Sequence, residues 1–291
     1  MSILLLALTL LAQAPATGAS SSSSLDTAAI SRAIGRTGQM QGDVYRISLP
    51  RTDLDVTVNG VKLRAGFALG SWVAFRSTGS DAIVDGDLVL LEREVDPAVS
   101  RLFAGGLDIT ALHNHLLNET PRVMYLHIWG RGDAARLAAG IHSALEATAT
   151  PLGEPPAAPP SEDAGFDAAV IQQRLGVKGA VRGGVLSVSV PRPEKITMMG
   201  AEMPPAMGMA TGFNFQSAGD GNVAATGDFV LAADEVNKVA RALSSHGIGV
   251  RALHNHMIHG SPELYFMHFW ATGAPATVAD GLRAALDVMA R

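Results

Sequence analysis

Residues 111–129 read ALHNHLLNETPRVMYLHIW, and residues 252–270 read ALHNHMIHGSPELYFMHFW. Each copy holds His-Asn-His, a third His twelve residues after the second, and a Trp two further on. The copies lie 141 residues apart, and that offset extends far beyond them. Ile30 matches Ile171, Gly35 matches Gly176, and Pro50-Arg51 matches Pro191-Arg192. Gly86-Asp87 matches Gly227-Asp228, Glu94-Val95 matches Glu235-Val236, and Leu145 matches Leu286. A constant offset over so many anchors means a duplicated domain with almost no net insertion, so whatever one half folds into, the other must also fold into.

Within one half the pattern predicts a short helix over 26–34 (167–175 in the other) and strands over 44–49 and 72–76 (186–190 and 212–216). A denser block follows. It predicts a strand over 86–91 and a helix over 95–104 that ends at Gly105-Gly106. Strands over 109–116 and 122–129 come next, then a closing helix over 133–145 with Asp133 as its N-cap. The order β-α-β-β-α is that of a ferredoxin-like sheet with helices on one face. The expected fold is therefore α+β: two homologous repeats, each with extra N-terminal strands, packed about a pseudo-twofold axis. Two independent lobes on a string is the alternative.

The ends and the joint read differently. Residues 4–12 form an apolar run too short to span a bilayer, followed by small residues and Ser20 to Ser24. That predicts a signal peptide and tether over 1–24, hence export to the periplasm or beyond, with no transmembrane segment in the mature chain. A short buried helix is the competing reading. Repeat 1 is expected over 25–150 and repeat 2 over 165–291. Between them, over 151–164, PLGEPPAAPPSED supplies five prolines and reads as a stiff linker. There are no cysteines, which removes disulfides and thiolate chemistry. A net charge of −5 and only 5% aromatic residues argue against nucleic acid as a partner.

The histidines carry the chemistry. Side chains alternate along a strand, so His113 and His115 share a face while Asn114 points away. A turn centred near residue 120 would set His113 opposite His127 and His115 opposite Tyr125, gathering three imidazoles on one face of one hairpin. His254, His256 and His268 repeat the pattern, with Phe266 opposite His256. Three convergent imidazoles suit a divalent metal, zinc first. Copper is the alternative, since Met198, Met199, Met203, Met207 and Met209 crowd one loop of the second repeat; the plainer reading of these methionines is adaptable core filling. A hydrogen-bonded histidine cluster without metal is the plainer reading of the imidazoles.

Asp87 and Asp228, present in both repeats, are the acids expected to orient a His, complete a metal shell or take a proton. Glu94 and Glu235 are expected to face helix N-termini. Arg51 and Arg192 are read as exposed strand-end charges, with anion holding the alternative; His142 is read as a surface residue, His246 as a helix cap and His259 as a solvent-facing loop residue, with an accessory base or ligand the alternative. Glu119 has Gly260 as its counterpart and so cannot serve a shared mechanism. Three functions fit: an exported metal-binding protein, a metal-dependent hydrolase or lyase acting on a small molecule, and a non-metal module that grips a sugar or anion.

The two ALHNH blocks, the GDLVLLEREV and GDFVLAADEV blocks and the PPAMGMATGFNFQ stretch resemble the LppY/LpqO family, exported bacterial proteins carrying a domain of unknown function. The resemblance covers residues 25–291 and implies export and a duplicated architecture. Some of those proteins are lipoproteins; this chain departs there, having no cysteine to acylate. The resemblance implies no reaction.

Overall fold

The computed structural model describes residues 25–154 and 163–289. The expected leader and most of the proline-rich linker lie outside the described residues. In the first repeat the elements run α1 (Thr27–Ile34), β1 (Gln39–Gln41), β2 (Val44–Pro50), β3 (Thr57–Val58), β4 (Val61–Lys62), α2 (Ala65–Ala68), β5 (Gly70–Ser77), β6 (Ala82–Leu91), α3 (Glu92–Ala104), β7 (Asp108–His113), β8 (Glu119–Thr120), β9 (Val123–Gly132) and α4 (Ala134–Leu145). The second repeat runs α5 (Ala168–Leu175), β10 (Gly179–Arg182), β11 (Val185–Pro191), β12 (Thr197–Met198), β13 (Ala201–Glu202), a 3₁₀ turn at Pro205–Met207, β14 (Ala210–Gly219), β15 (Asn222–Ala232), α6 (Ala233–Ser245), β16 (Gly249–His254), β17 (Gly260–Ser261), β18 (Leu264–Gly273) and α7 (Pro275–Asp287).

Local chemistry sets these boundaries twice over. Asp26 caps α1 by accepting from Ala29 N at 2.8 Å, and Asp167 caps α5 from Ala169 N at 3.0 Å. Gly35 at φ 82° and Gly176 at φ 69° end the same helices in the left-handed region. His142 is not a surface residue: it is half-buried on α4, and its Nδ1 donates to Ile34 O at 2.9 Å, satisfying a last-turn carbonyl of α1. Arg283 does the same for Leu175 O, also at 2.9 Å. His246 caps the end of α6 through Ala242 O, as expected.

Each repeat builds one six-stranded antiparallel sheet, in the orders β1-β2-β5-β6-β9-β7 and β10-β11-β14-β15-β18-β16. In each, the last-formed strand (β9, β18) slots between two strands joined by a helix. Helices cover one face. Val84, Leu88 and Leu126 pack there against Ala98, Leu102 and Ile141, and Phe229, Leu231 and Phe269 pack against Val239, Leu282 and Leu286. All ten residues of β6 are buried, so its other face is covered too. What covers it is the second repeat. Val44, Ala74, Ile83 and Trp129 share a core with Met198, Met203, Met207, Met209 and Phe266. Leu63, Phe67 and Tyr125 share another with Val185, Ala224 and Trp270. The molecule is thus helices, sheet, sheet, helices, with the two inner sheet faces meeting.

The interface is symmetric in its polar contacts as well. Arg76 Nη1 donates to Glu202 O at 3.1 Å, and Gln216, its counterpart on β14, donates from Nε2 to Lys62 O at 2.8 Å. The segment after α4 returns to repeat 1, where Gly153 N donates to Gly35 O and Arg36 Nε donates to Gly153 O.

Candidate metal centre and cleft

Antiparallel pairing places Ser48, Trp72, Asp87, His127 and Ala111 in one row across the first sheet. Residues directly opposite one another project to the same face, so Trp72, Asp87 and His127 all point toward the second repeat. The matching row in repeat 2 is Ser189, Gly212, Asp228, His268 and Ala252.

The hairpin register differs from the expected one. His113 lies opposite Tyr125 and Ala111 opposite His127; His254 lies opposite Phe266. The connection is centred on residue 119 because Glu119–Thr120 leave the hairpin to pair with β3, where Val58 faces Glu119. The slip is two residues, an even number, so His113 and His127 still share a face. β7 ends at His113, which leaves His115 in the loop, its ring stacked 3.3 Å from that of Tyr125.

The two histidine triplets meet across the interface. His113 and His254 rings lie 3.7 Å apart, His115 and His268 3.7 Å, and His127 and His256 4.0 Å. The first contact joins equivalent residues, and the other two exchange under the 141-residue offset. A pseudo-twofold axis therefore passes between His113 and His254, and six imidazoles form one cluster.

The two triplets are not equally satisfied. His268 Nδ1 lies 3.1 Å from Gly227 O, so that nitrogen carries the proton and Nε2 carries a lone pair. His254 Nε2, 2.9 Å from His268 Nε2, must then be the donor. Repeat 2 thus occupies its own lone pair. In repeat 1, Nε2 of His113, His115 and His127 and Oδ1 of Asp87 are buried with no hydrogen-bond partner; in repeat 2, His254 Nδ1 and Asp228 Oδ1 are. A buried unpaired polar atom costs about 1–3 kcal/mol, so such convergence needs a reason. The ligand atoms of Asp87, His115 and His127 lie within 4.8 Å of one another, and so do those of His113, His115 and His268. His115 belongs to both sets.

Burial sets the protonation of the cluster. All six imidazoles are held below the usual histidine range by desolvation, with neighbouring imidazoles adding to the effect in five; His256 and His268 fall to about 3. Neutral imidazole is the form that ligates metal. Desolvation pushes Asp87 up to about 7, opposed by the Arg46 charge, and pushes Asp228 well above the usual carboxylate range, with Asp87 adding to it.

The cluster lines a cleft of about 310 Å³ between the repeats. Asp87, His115 and His127 line it from repeat 1, and Asp228, His256 and His268 from repeat 2. Arg46 and Trp72, which the sequence reading did not single out, line it beside Asp87 on the first sheet, with the guanidinium carbon 3.8 Å from the indole centroid. Asp85 is a third buried acid, one row along from Asp87 and opposite Trp129. A signal for it existed: Asp85-Gly-Asp87 puts two acids on the same face of a fully apolar strand. Arg46, Trp72 and Asp85 have Ser187, Gly212 and Thr226 as counterparts, so this part of the lining belongs to repeat 1 alone.

Other candidates fall outside. Arg51 and Arg192 are buried, not exposed. Arg51 bonds Asp53, Val89 O and Glu94, and Arg192 bonds Glu194, Val230 O and Glu235. Glu94 also accepts from Leu91 N, so the helix-terminus role holds. His259 is exposed at φ 52° in its turn. Met198, Met203, Met207 and Met209 fill the shared core.

A family model described as "Domain of Unknown Function (DUF1259)" matches residues 28–147 and again 169–288. No curated protein compared with the chain matches it. Among solved structures, a trimeric bacterial microcompartment shell protein, PduB, is 14% identical over 87% of this chain and 89% of its own, at a TM-score of 0.23. EtuB from Clostridium kluyveri is 10% identical over 87% and 89%, at a TM-score of 0.21. At those TM-scores neither likeness bears on fold or function.

Proposed function

This chain belongs to the DUF1259 family, which carries two copies of its domain here, and we propose that it binds one divalent metal ion, zinc first, in the cluster where the two copies meet. The observation that carries this is the convergence of unpartnered, buried, neutral donors on the repeat 1 side. Asp87, His115 and His127 are the assigned ligands. A His-rich set with a carboxylate suits zinc, and the methionines that raised copper are committed to packing. Because His115 belongs to both donor sets, they cannot be filled together, and one ion per chain is the expected load. On the ALHNH and GDLVLLEREV blocks the chain is read as an LppY/LpqO-type member, and on its leader as exported; fractionation of the native host with an antibody tests the latter.

The cleft favours chemistry over storage. A carrier site closes around its ion, whereas this one faces a concavity with buried acids on both walls. A metal here would polarise a substrate oxygen and lower a bound water to a pKa of about 7. The residues themselves hold Asp87 in the ligand row and bury Asp228 on the facing sheet, where desolvation raises its carboxyl well above the usual range and favours its proton-donating form. A metal-dependent hydrolase or lyase is the resulting reading.

Elemental analysis by mass spectrometry of the purified, zinc-equilibrated protein tests the site. About one equivalent is expected, falling to background in Asp87→Ala/His115→Ala/His127→Ala and persisting in Asp228→Ala. Protein with an unchanged thermal melt that takes up neither zinc nor copper at micromolar levels would overturn the reading.

A further inference from the structure

The lining beside the ligand row differs between the repeats, and that difference points to a ligand. Arg46 sits on β2 one row along from the ligand row, opposite Ala74. Its guanidinium carbon lies over Trp72, 3.8 Å from the ring centroid, and Nη1 donates to Ala206 O at 2.7 Å. Gly208, at φ +80°, closes the indole from the far repeat; a Cβ there would stand 3.0 Å from the ring. These contacts fix the plane of the guanidinium while using few of its five donors. None of its nitrogens lies within ion-pair distance of a carboxylate among the described residues; burial lowers its pKa to about 10, with Asp85 and Asp87 opposing that shift. Arg46 lines the same cleft as Asp87, His115 and His127.

A stacked, oriented guanidinium is the group best shaped to meet a planar or tetrahedral oxyanion with two parallel bonds. A cleft near the lower end of small-molecule sites in volume limits the rest of the ligand to metabolite size.

We propose that Arg46, held by Trp72, is an oxyanion subsite, and that the cleft takes a small organic anion whose carboxylate or phosphate docks on Arg46 while its other end reaches the Asp87–His115–His127 set. The inference rests on the metal reading for that other end, but the Arg46 contact stands without it. Repeat 2 offers Ser187 and Gly212 at these positions and has no such subsite, so one anion binds per chain.

Isothermal titration of the zinc-equilibrated full chain tests it, with malonate, inorganic phosphate and the neutral malonamide as probes and metal content measured on the same samples. Malonate or phosphate is expected to bind at one per chain, at least tenfold tighter than malonamide; whichever anion binds more tightly distinguishes carboxylate from phosphate ligands. Arg46→Gln should lose that binding tenfold or more with metal content and melting temperature unchanged, and Arg46→Lys should recover part of it. Equal binding of malonate by Arg46→Gln and the parent, equal binding of malonamide and malonate, or no anion binding by metal-loaded protein would each overturn the subsite. Anion binding that Arg46→Gln abolishes in protein that takes up no metal would uphold the subsite and remove the metal reading instead.

Discussion

Two kinds of buried charge meet in this chain. Arg51 is fully buried between Asp53 and Glu94, and Arg192 repeats the arrangement with Glu194 and Glu235. Removing the buried partner leaves each arginine with only its more exposed acid, so Glu94→Gln or Glu235→Gln should lower unfolding stability, by at most about 3–5 kcal/mol, read as a shift in urea midpoint. The cluster at the interface titrates differently. Histidines held near 3 when folded and near 6.5 when unfolded bind protons preferentially in the unfolded chain, so their stability is complete above about 6.5 and is lost as pH falls toward 3. Asp87 runs the other way: its raised carboxyl costs stability as pH rises from about 4 to 7. Asp85, Asp228 and Glu119 are raised as well, and Arg46 and Tyr125 stay charged and neutral, respectively, across this window. Six depressed imidazoles outweigh four raised carboxyls, so the melting temperature of chelator-treated protein should fall between pH 7 and 4.5. A melting temperature that rose over that interval would mean the histidines are charged in the folded state.

At the scale of elements, periodicity and caps were legible. Asp133 caps α4 from Arg136 N at 2.8 Å, and both repeats form the expected β-α-β-β-α order within their sheets. The register was not legible, because Glu119–Thr120 pair with a strand some sixty residues earlier and nothing local to the hairpin announces that. The face of each histidine survived the slip only because the shift was even. Close approach between helices was also hidden. α3 ends at Gly105, where a Cβ would stand 2.6 Å from Gly140 Cα on α4. The same place in repeat 2 holds His246, beside Gly281. Sequence comparison of the halves would therefore license a side chain at 105, but the packing does not. Gly105→Ala should destabilise the protein by about 1–3 kcal/mol, the range for overpacking a tight contact; an unchanged guanidinium midpoint would show that α3 and α4 can separate without cost.

For the whole molecule, the question the sequence left open was whether two lobes hang on a string or form one body. Each repeat has its own core between sheet and helices, and either alone satisfies its sheet. The inner faces decide the matter. Ile83 and Val89 on β6 point away from their own helices, and in a separated lobe they would face water together with His127 and Trp129. Met198, Met203 and Met207 have the corresponding problem in repeat 2. Each such side chain contributes roughly 1.5–3 kcal/mol when buried, so together they are comparable to the net stability of a whole domain. That the duplicated histidines would merge into one cluster followed from none of this in the sequence, since a 141-residue offset states that two sites are alike and not that they touch. The physical consequence is cooperativity. Calorimetry of the intact chain should give a single transition whose van't Hoff and calorimetric enthalpies agree. Met207→Ala, which empties part of the shared core, should lower the temperature of that one transition, by an amount corresponding to about 2–5 kcal/mol, without splitting it. Two resolved transitions in the parent protein would mean that the inner faces part before either lobe melts.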